Sequence, residues 1–124
     1  MIETGINSFL TENLDPAIEI SWGKEDATVR WDDGTTTISF FKLPSQSARV
    51  TPSYLDSFQI SVRSRYIDAA QSVANQIITL FHLYHGKLGD YLVNVDDIFT
   101  NGVLYEAEDI VHVPLTLRVK YTQL

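Results

Sequence analysis

The sequence predicts an α+β domain: one mixed, mainly antiparallel sheet of about four to six strands, with a long helix and a short N-terminal helix packed on it. Three stretches carry that expectation. Residues 54–86 change period part-way. Tyr54, Asp56, Phe58, Ile60 and Val62 alternate with Leu55, Ser57, Gln59, Ser61 and Arg63, a strand with one face apolar apart from Asp56. Ile67, Ala70, Val73, Ala74, Ile77, Ile78 and Phe81 then recur at helical spacing, with Gly86 placed as a C-terminal stop. In the closing stretch, Val111, Val113, Leu115, Leu117, Val119 and Tyr121 alternate without a break against His112, Pro114, Thr116, Arg118 and Lys120. Finally, Asp33-Gly34 stands before TTTISFFKL, a hairpin signal leading into β-branched and aromatic residues.

The elements follow in order. Ile6, Phe9, Leu10 and Leu14 share a helical face, with Thr4 as a possible cap and Gly5 weakening the first turn. Asp15-Pro16 ends that helix, because a residue before proline avoids the α region. Residues 17–22 alternate as a strand, residues 27–31 form a second, and residues 35–43 a third, with Trp22 and Trp31 able to stack across the sheet. Residues 44–52 are a polar loop with proline at both ends. The step from Val62 to Tyr66 is a tight strand-to-helix junction. Lys87-Leu88-Gly89 reads as a turn. A strand follows from Asp90, with a turn at Asp96-Asp97 and another at Asn101-Gly102. Pro114 points to an edge or a bulge in the last strand.

At 124 residues, 44% hydrophobic and 20% charged, the chain is expected to be one domain over residues 1–124, with a core that needs no metal or disulfide. The absence of cysteine removes thiolate nucleophiles and cysteine-ligated metal sites, and fits synthesis in a reducing cytoplasm. The start is not a secretory leader, and no apolar run is long enough to span a membrane. The net charge of −7 disfavours gripping nucleic acid through its phosphates. Charge is also uneven. Residues 3–33 hold eight acids against Lys24 and Arg30; residues 34–65 hold Lys42, Arg49, Arg63 and Arg65 against Asp56; residues 88–117 hold six acids and no base. Such a surface is either a set of solvated faces or one able to meet copies of itself head to tail.

No residue pattern in the sequence points to catalysis. His82 and His85 fall three apart near a helix C-terminus, where the helix dipole favours a cationic ring; a metal site there needs Asp90 or Asp97 as a third ligand. Asp32-Asp33 and Asp96-Asp97 are the carboxylate pairs. Aspartate is favoured in turns for its own backbone bonds, and neighbours on a strand point to opposite faces, so neither pair is pre-arranged for Mg²⁺. There is no GxSxG, glycine-rich phosphate loop or HExxH. No enzyme activity, cofactor or metal is expected. A metal-dependent hydrolase using the aspartate pairs is the weaker enzymatic alternative.

FQISVRSRYIDAAQSVANQIITLFHLYHG resembles the core segment of the tail-terminator or minor capsid proteins of long-tailed bacteriophages, also called tail-completion or tail-to-head joining proteins. The resemblance rests on Phe58 to Arg63 and on Tyr66, Ala70, Ala74, Ile77 and His85-Gly86, with PLTLRVKY and the short first helix in the same style. It implies a structural virion protein at the head-proximal end of the tail. That protein would form a ring, usually a hexamer, on the tail tube. The ring would end tube polymerisation and dock on the head-completion or connector protein, while DNA passes through the lumen without specific binding. On that reading Arg49, Arg63 and Arg65 are expected to meet acids of the next copy, with Asp96, Asp97, Glu106, Glu108 and Asp109 as candidates. The competing class is a small non-catalytic domain that binds another protein.

Overall fold

A computed structural model describes residues 1–22, 34–43, 53–106 and 110–124. The expected strand at 27–31, the Trp22–Trp31 stack, Asp32-Asp33, the 44–52 loop with Arg49, and Glu108 and Asp109 lie outside these residues.

Helix α1 spans Ile2–Asn13. Ile2, Ile6 and Leu10 are buried, and Leu14 beyond the helix joins them. The helix covers the expected residues 2–13, but its N-cap is Met1, so Thr4 lies in the first turn and is not the cap. At the other end Leu14 is extended. Asp15 then turns the chain, its Oδ1 accepting the Ala17 N–H at 2.8 Å and its carbonyl accepting the Ile18 N–H at 3.0 Å.

Strand β1 (Glu19–Trp22) pairs in parallel with β2 (Thr37–Lys42), and β2 pairs antiparallel with β3 (Ser53–Ser64). From β3 the chain enters α2 (Ile67–Phe81) through the expected short junction, where Ser64 Oγ accepts the Tyr66 N–H at 3.2 Å. Strands β4 (His85–Leu88), β5 (Tyr91–Thr100), β6 (Leu104–Glu106) and β7 (Ile110–Gln123) follow. The sheet order is β1-β2-β3-β7-β5-β4, with β6 on the flank of β7. The sheet is thus mixed and mainly antiparallel, as expected, but it has seven strands among the described residues, more than the sequence suggested.

Three local readings are corrected. Helix α2 stops at Phe81, not at Gly86. His82 leaves the helical conformation at ψ 119° and Leu83 takes a left-handed φ of 56°, and His85 and Gly86 belong to β4. Gly86 serves close packing instead: a Cβ there would meet the Tyr84 hydroxyl at 3.0 Å. Asp96-Asp97 does not turn the chain. It lies inside β5, where the pairing to β7 shifts between Val95 and Asp97, a bulge that absorbs the extra residue. Pro114, expected at an edge, sits in a central strand opposite Ser61. Its carbonyl accepts the Asn101 N–H at 2.9 Å. The same side of Pro114 therefore faces the connection between β5 and β6, where its missing N–H interrupts no ladder.

The expected apolar faces of β3 and β7 point into the core, but burial does not alternate throughout: Ser61 on β3 and the whole run from Val111 to Leu115 on β7 are buried. Phe58, Ile60, Val62, Leu115, Leu117 and Val119 are fully buried against the helices. Helix α2 packs over β3, β7 and β5, and α1 over β1 and β4. Both helices therefore cover one face of the sheet, and they share one core.

Candidate interaction surface

The anomaly in the apolar face of β3, Asp56, is a buried carboxylate at 2% exposure. The Tyr121 hydroxyl donates to its Oδ2, and the half-exposed Lys42 ammonium lies 3.2 Å from the same oxygen. Tyr54 stacks on Tyr121 and Tyr91 meets it edge-on, both at 5.4 Å between ring centres. Burial, then the bond to Asp56, holds the Tyr121 phenol above its ordinary range. The folded state binds this proton more tightly than the unfolded chain. Its stabilising contribution is therefore complete below about pH 10, the ordinary phenol value, and is lost as the pH rises beyond it. Tyr121→Phe removes a donor to a buried carboxylate and should cost about 1.5–3 kcal/mol at neutral pH. It should also flatten the alkaline loss of stability in urea titrations at stepped pH. Equal alkaline losses in the two proteins would show that Tyr121 does not carry the effect.

The opposite face of the sheet carries the second cluster. Arg63 Nε donates to Glu106 Oε1 at 2.9 Å, and His112 Nδ1 lies 2.9 Å from the same oxygen. Arg63 also donates from Nη1 to Ser39 Oγ at 3.3 Å. Arg63 pairs with His112 across β3 and β7, and β6 brings in Glu106 alongside Ile110. The structure thus makes Arg63 and Glu106 partners within one chain and pins β6 to the sheet. Arg65 is exposed at the start of the β3–α2 junction, and Asp96 and Asp97 are exposed on β5. These three are not drawn into the cluster. His82 caps α2, and His85 Nδ1 lies 3.1 Å from Asn94 Oδ1 across β4 and β5. Among the described residues no group of three or more His, Asp or Glu side chains is placed to hold a metal.

Beyond the Arg63 cluster the same sheet face opens to solvent. Cross-strand pairing aligns Phe41, Gln59, Thr116 and Phe99 in one row, Ser57, Arg118 and Asp97 in the next, then Leu55, Lys120 and Asn94. Leu92 and Lys87 pair beyond them. Phe41, Leu55, Leu92 and Phe99 are 37%, 41%, 41% and 40% exposed, a concentration of large apolar groups on a face that no described helix covers. Sequence reading missed this patch because its members come from three strands. On the other side of the molecule, an open groove of about 650 Å³ runs along the helices, lined by Asn13, Asp68, Gln71, Asn75, Gln76 and Thr79 among others.

Comparison with known proteins returns structure and not sequence. No protein-family model matches the chain, and no curated protein is similar to it in sequence. One solved structure aligns over 98% of this chain and 96% of its own, with a TM-score of 0.64 and 20% identity. Another, from the virion of a native gene transfer agent particle, aligns over 98% of this chain and 91% of its own, with a TM-score of 0.54 and 15% identity. At these identities the likeness shows the fold, and it extends over nearly the whole of each chain. No described helix is long and apolar enough to cross a membrane.

Proposed function

We propose that this chain is a structural virion protein that forms a ring, a hexamer, on the head-proximal end of a phage-type tail tube. There it ends tube polymerisation and makes the joint to the head. The observation that carries this reading is the fold shared, nearly end to end, with a chain of a gene transfer agent virion. The resemblance of residues 58–86 and 114–121 to tail-terminator proteins agrees with it. The role is non-catalytic. The partners are further copies of the chain, the tube protein and a head-completion or connector protein. DNA passes through the lumen without sequence recognition, and a protein of net charge −7 suits that, since carboxylates repel phosphates.

A ring needs two different patches that fit one another. Exposed ion pairs contribute only about 0–1 kcal/mol each, so apolar contact must supply most of the association. Arg49, Arg65, Asp96, Asp97, Glu108 and Asp109 remain candidates for the rim of that contact, whereas Arg63 and Glu106 already neutralise one another.

Purified protein added to polymerising tube protein tests the reading. Tubes should shorten as the ratio of this chain to tube subunits rises, with ring density at one end by negative-stain microscopy. An unchanged length distribution and bare tube ends would overturn it.

A further inference from the structure

We infer that the open half of the sheet face docks on the helix layer of a second copy, so that head-to-tail repetition of this one contact builds the assembly. The inference rests on the ring reading and assigns its two surfaces. The sheet side offers Phe41, Leu55, Leu92 and Phe99 as apolar contact. Around them stand Arg118, Lys120 and Lys87, with Asp97 opposite Arg118 and its exposed neighbour Asp96 as the acids in that area, so bases outnumber acids by one there. The helix side has the complementary charge. Neither α1 nor α2 contains a lysine or arginine, whereas Glu3, Glu12 and Asp68 lie on them and Asp15 follows α1.

The segregation of charge selects the partner and the geometry. Pairing two sheet faces symmetrically would set Arg118 and Lys120 against their own copies. Pairing two helix faces would do the same to Glu12 and Asp68. Like-charge contacts of this kind disfavour both isologous dimers. Sheet against helices brings opposite charges together, and because the two patches lie on opposite sides of the domain the contact is heterologous, the type that closes into rings. The groove along α2 gives the basic and amide side chains of the sheet face a concave polar surface that includes Asp68, with Leu80 as its apolar member.

Charge reversal tests this with a built-in rescue. The variant Arg118→Glu/Lys120→Glu has two acidic faces, and the variant Glu12→Lys/Asp68→Lys has two basic faces. Both sets of positions are exposed, and circular dichroism checks that each variant folds. In low-salt sedimentation at a concentration where the wild type is assembled, alone or on tube ends, each variant should associate at least tenfold more weakly. An equimolar mixture should regain wild-type assembly by alternating the two chains. Variants that assemble as the wild type does, or a mixture that gains nothing, would overturn this assignment and leave the ring reading in place. The same holds if Arg118→Glu/Lys120→Glu still forms rings but no longer binds tubes, since the face would then belong to the tube protein. A wild type that stays monomeric with and without tubes overturns the ring reading itself.

Discussion

Phe81→Ala is expected to cost about 4 kcal/mol, the middle of the range for removing a fully buried ring and leaving a cavity. Phe81 is the last residue of α2 and is fully buried. Its ring meets Phe9 of α1 at 5.1 Å between centroids, and Phe9 meets Tyr84 at 4.8 Å. Its carbonyl accepts the Tyr84 N–H at 3.0 Å, and the Tyr84 carbonyl accepts the Val95 N–H at 2.9 Å. The Phe81 ring thus ties α1 to the end of α2, and the backbone beside it leads into β4 and β5. Truncation removes the transfer energy of the ring and its aromatic partner, and Phe9 and Tyr84 are too constrained to fill the space. With a urea m-value of about 2 kcal/mol/M the midpoint should fall by about 2 M with little change in slope. A shift under about 0.5 M would mean that this junction repacks and that the aromatic trio is not what holds the two helices together.

That same junction marks the boundary of what sequence periodicity can reveal. Strands β3 and β7 were legible because each buries one face over its whole length, so their alternation follows from the pleat. The start of α2 was legible because the period changes at Ile67. Its end was not. Gly86 is the residue that a helix stop usually employs, but here the chain stops five residues earlier with Leu83 in the left-handed region, held by the packing of Phe81 and Tyr84. Tertiary contacts overrode the local signal, and the four residues of β4 carry no alternation of their own. Asp96-Asp97 misled in a related way. Two adjacent aspartates favour turns, yet a bulge between Val95 and Asp97 carries them through a strand whose neighbours on both sides are already fixed.

The candidate surface was legible only in fragments. Asp56 stood out as the one acid on an apolar face, and Arg118 and Lys120 as the polar half of β7. What those residues meet depends on register. Arg63 and Glu106 are far apart in the chain and come together only because β3, β7 and β6 are adjacent. Phe41, Leu55, Leu92 and Phe99 are scattered along the chain, and only strand pairing sets them on one face. The charge pattern behind the expected head-to-tail association takes a different form in the fold. Linear blocks of charge suggested it, whereas the fold leaves both helices without lysine or arginine and puts Arg118, Lys120 and Lys87 on the sheet face beside Asp96 and Asp97.

Gly5→Val should be nearly as damaging as the loss of Phe81, at about 3 kcal/mol, by the opposite mechanism of overpacking. Glycine near the start of a helix reads as a weakness, since alanine there would add up to about 1 kcal/mol of helix propensity. The structure gives Gly5 a purpose. A Cβ at this position would stand 2.7 Å from both the carbonyl carbon and the oxygen of Leu88, and 3.1 Å from the Gly89 nitrogen. These are backbone atoms at the β4–β5 turn, where Gly89 has a φ of +60°, so they have no rotamer with which to move aside. Gly5 is buried, and α1 can lie against that turn only without a side chain there. Valine forces α1 away from the sheet, and Ile2 and Ile6 on the same helical face lose burial with it. Alanine separates the two effects. Its propensity gain offsets part of the clash, so Gly5→Ala should destabilise by less than valine, but still measurably. Thermal unfolding of the three proteins checks the series. With about 4 °C per kcal/mol for a domain of this size, valine should lower Tm by about 12 °C. An alanine variant more stable than the parent would mean that α1 shifts freely over the turn, and the close approach at Leu88 would then not be what sets its position.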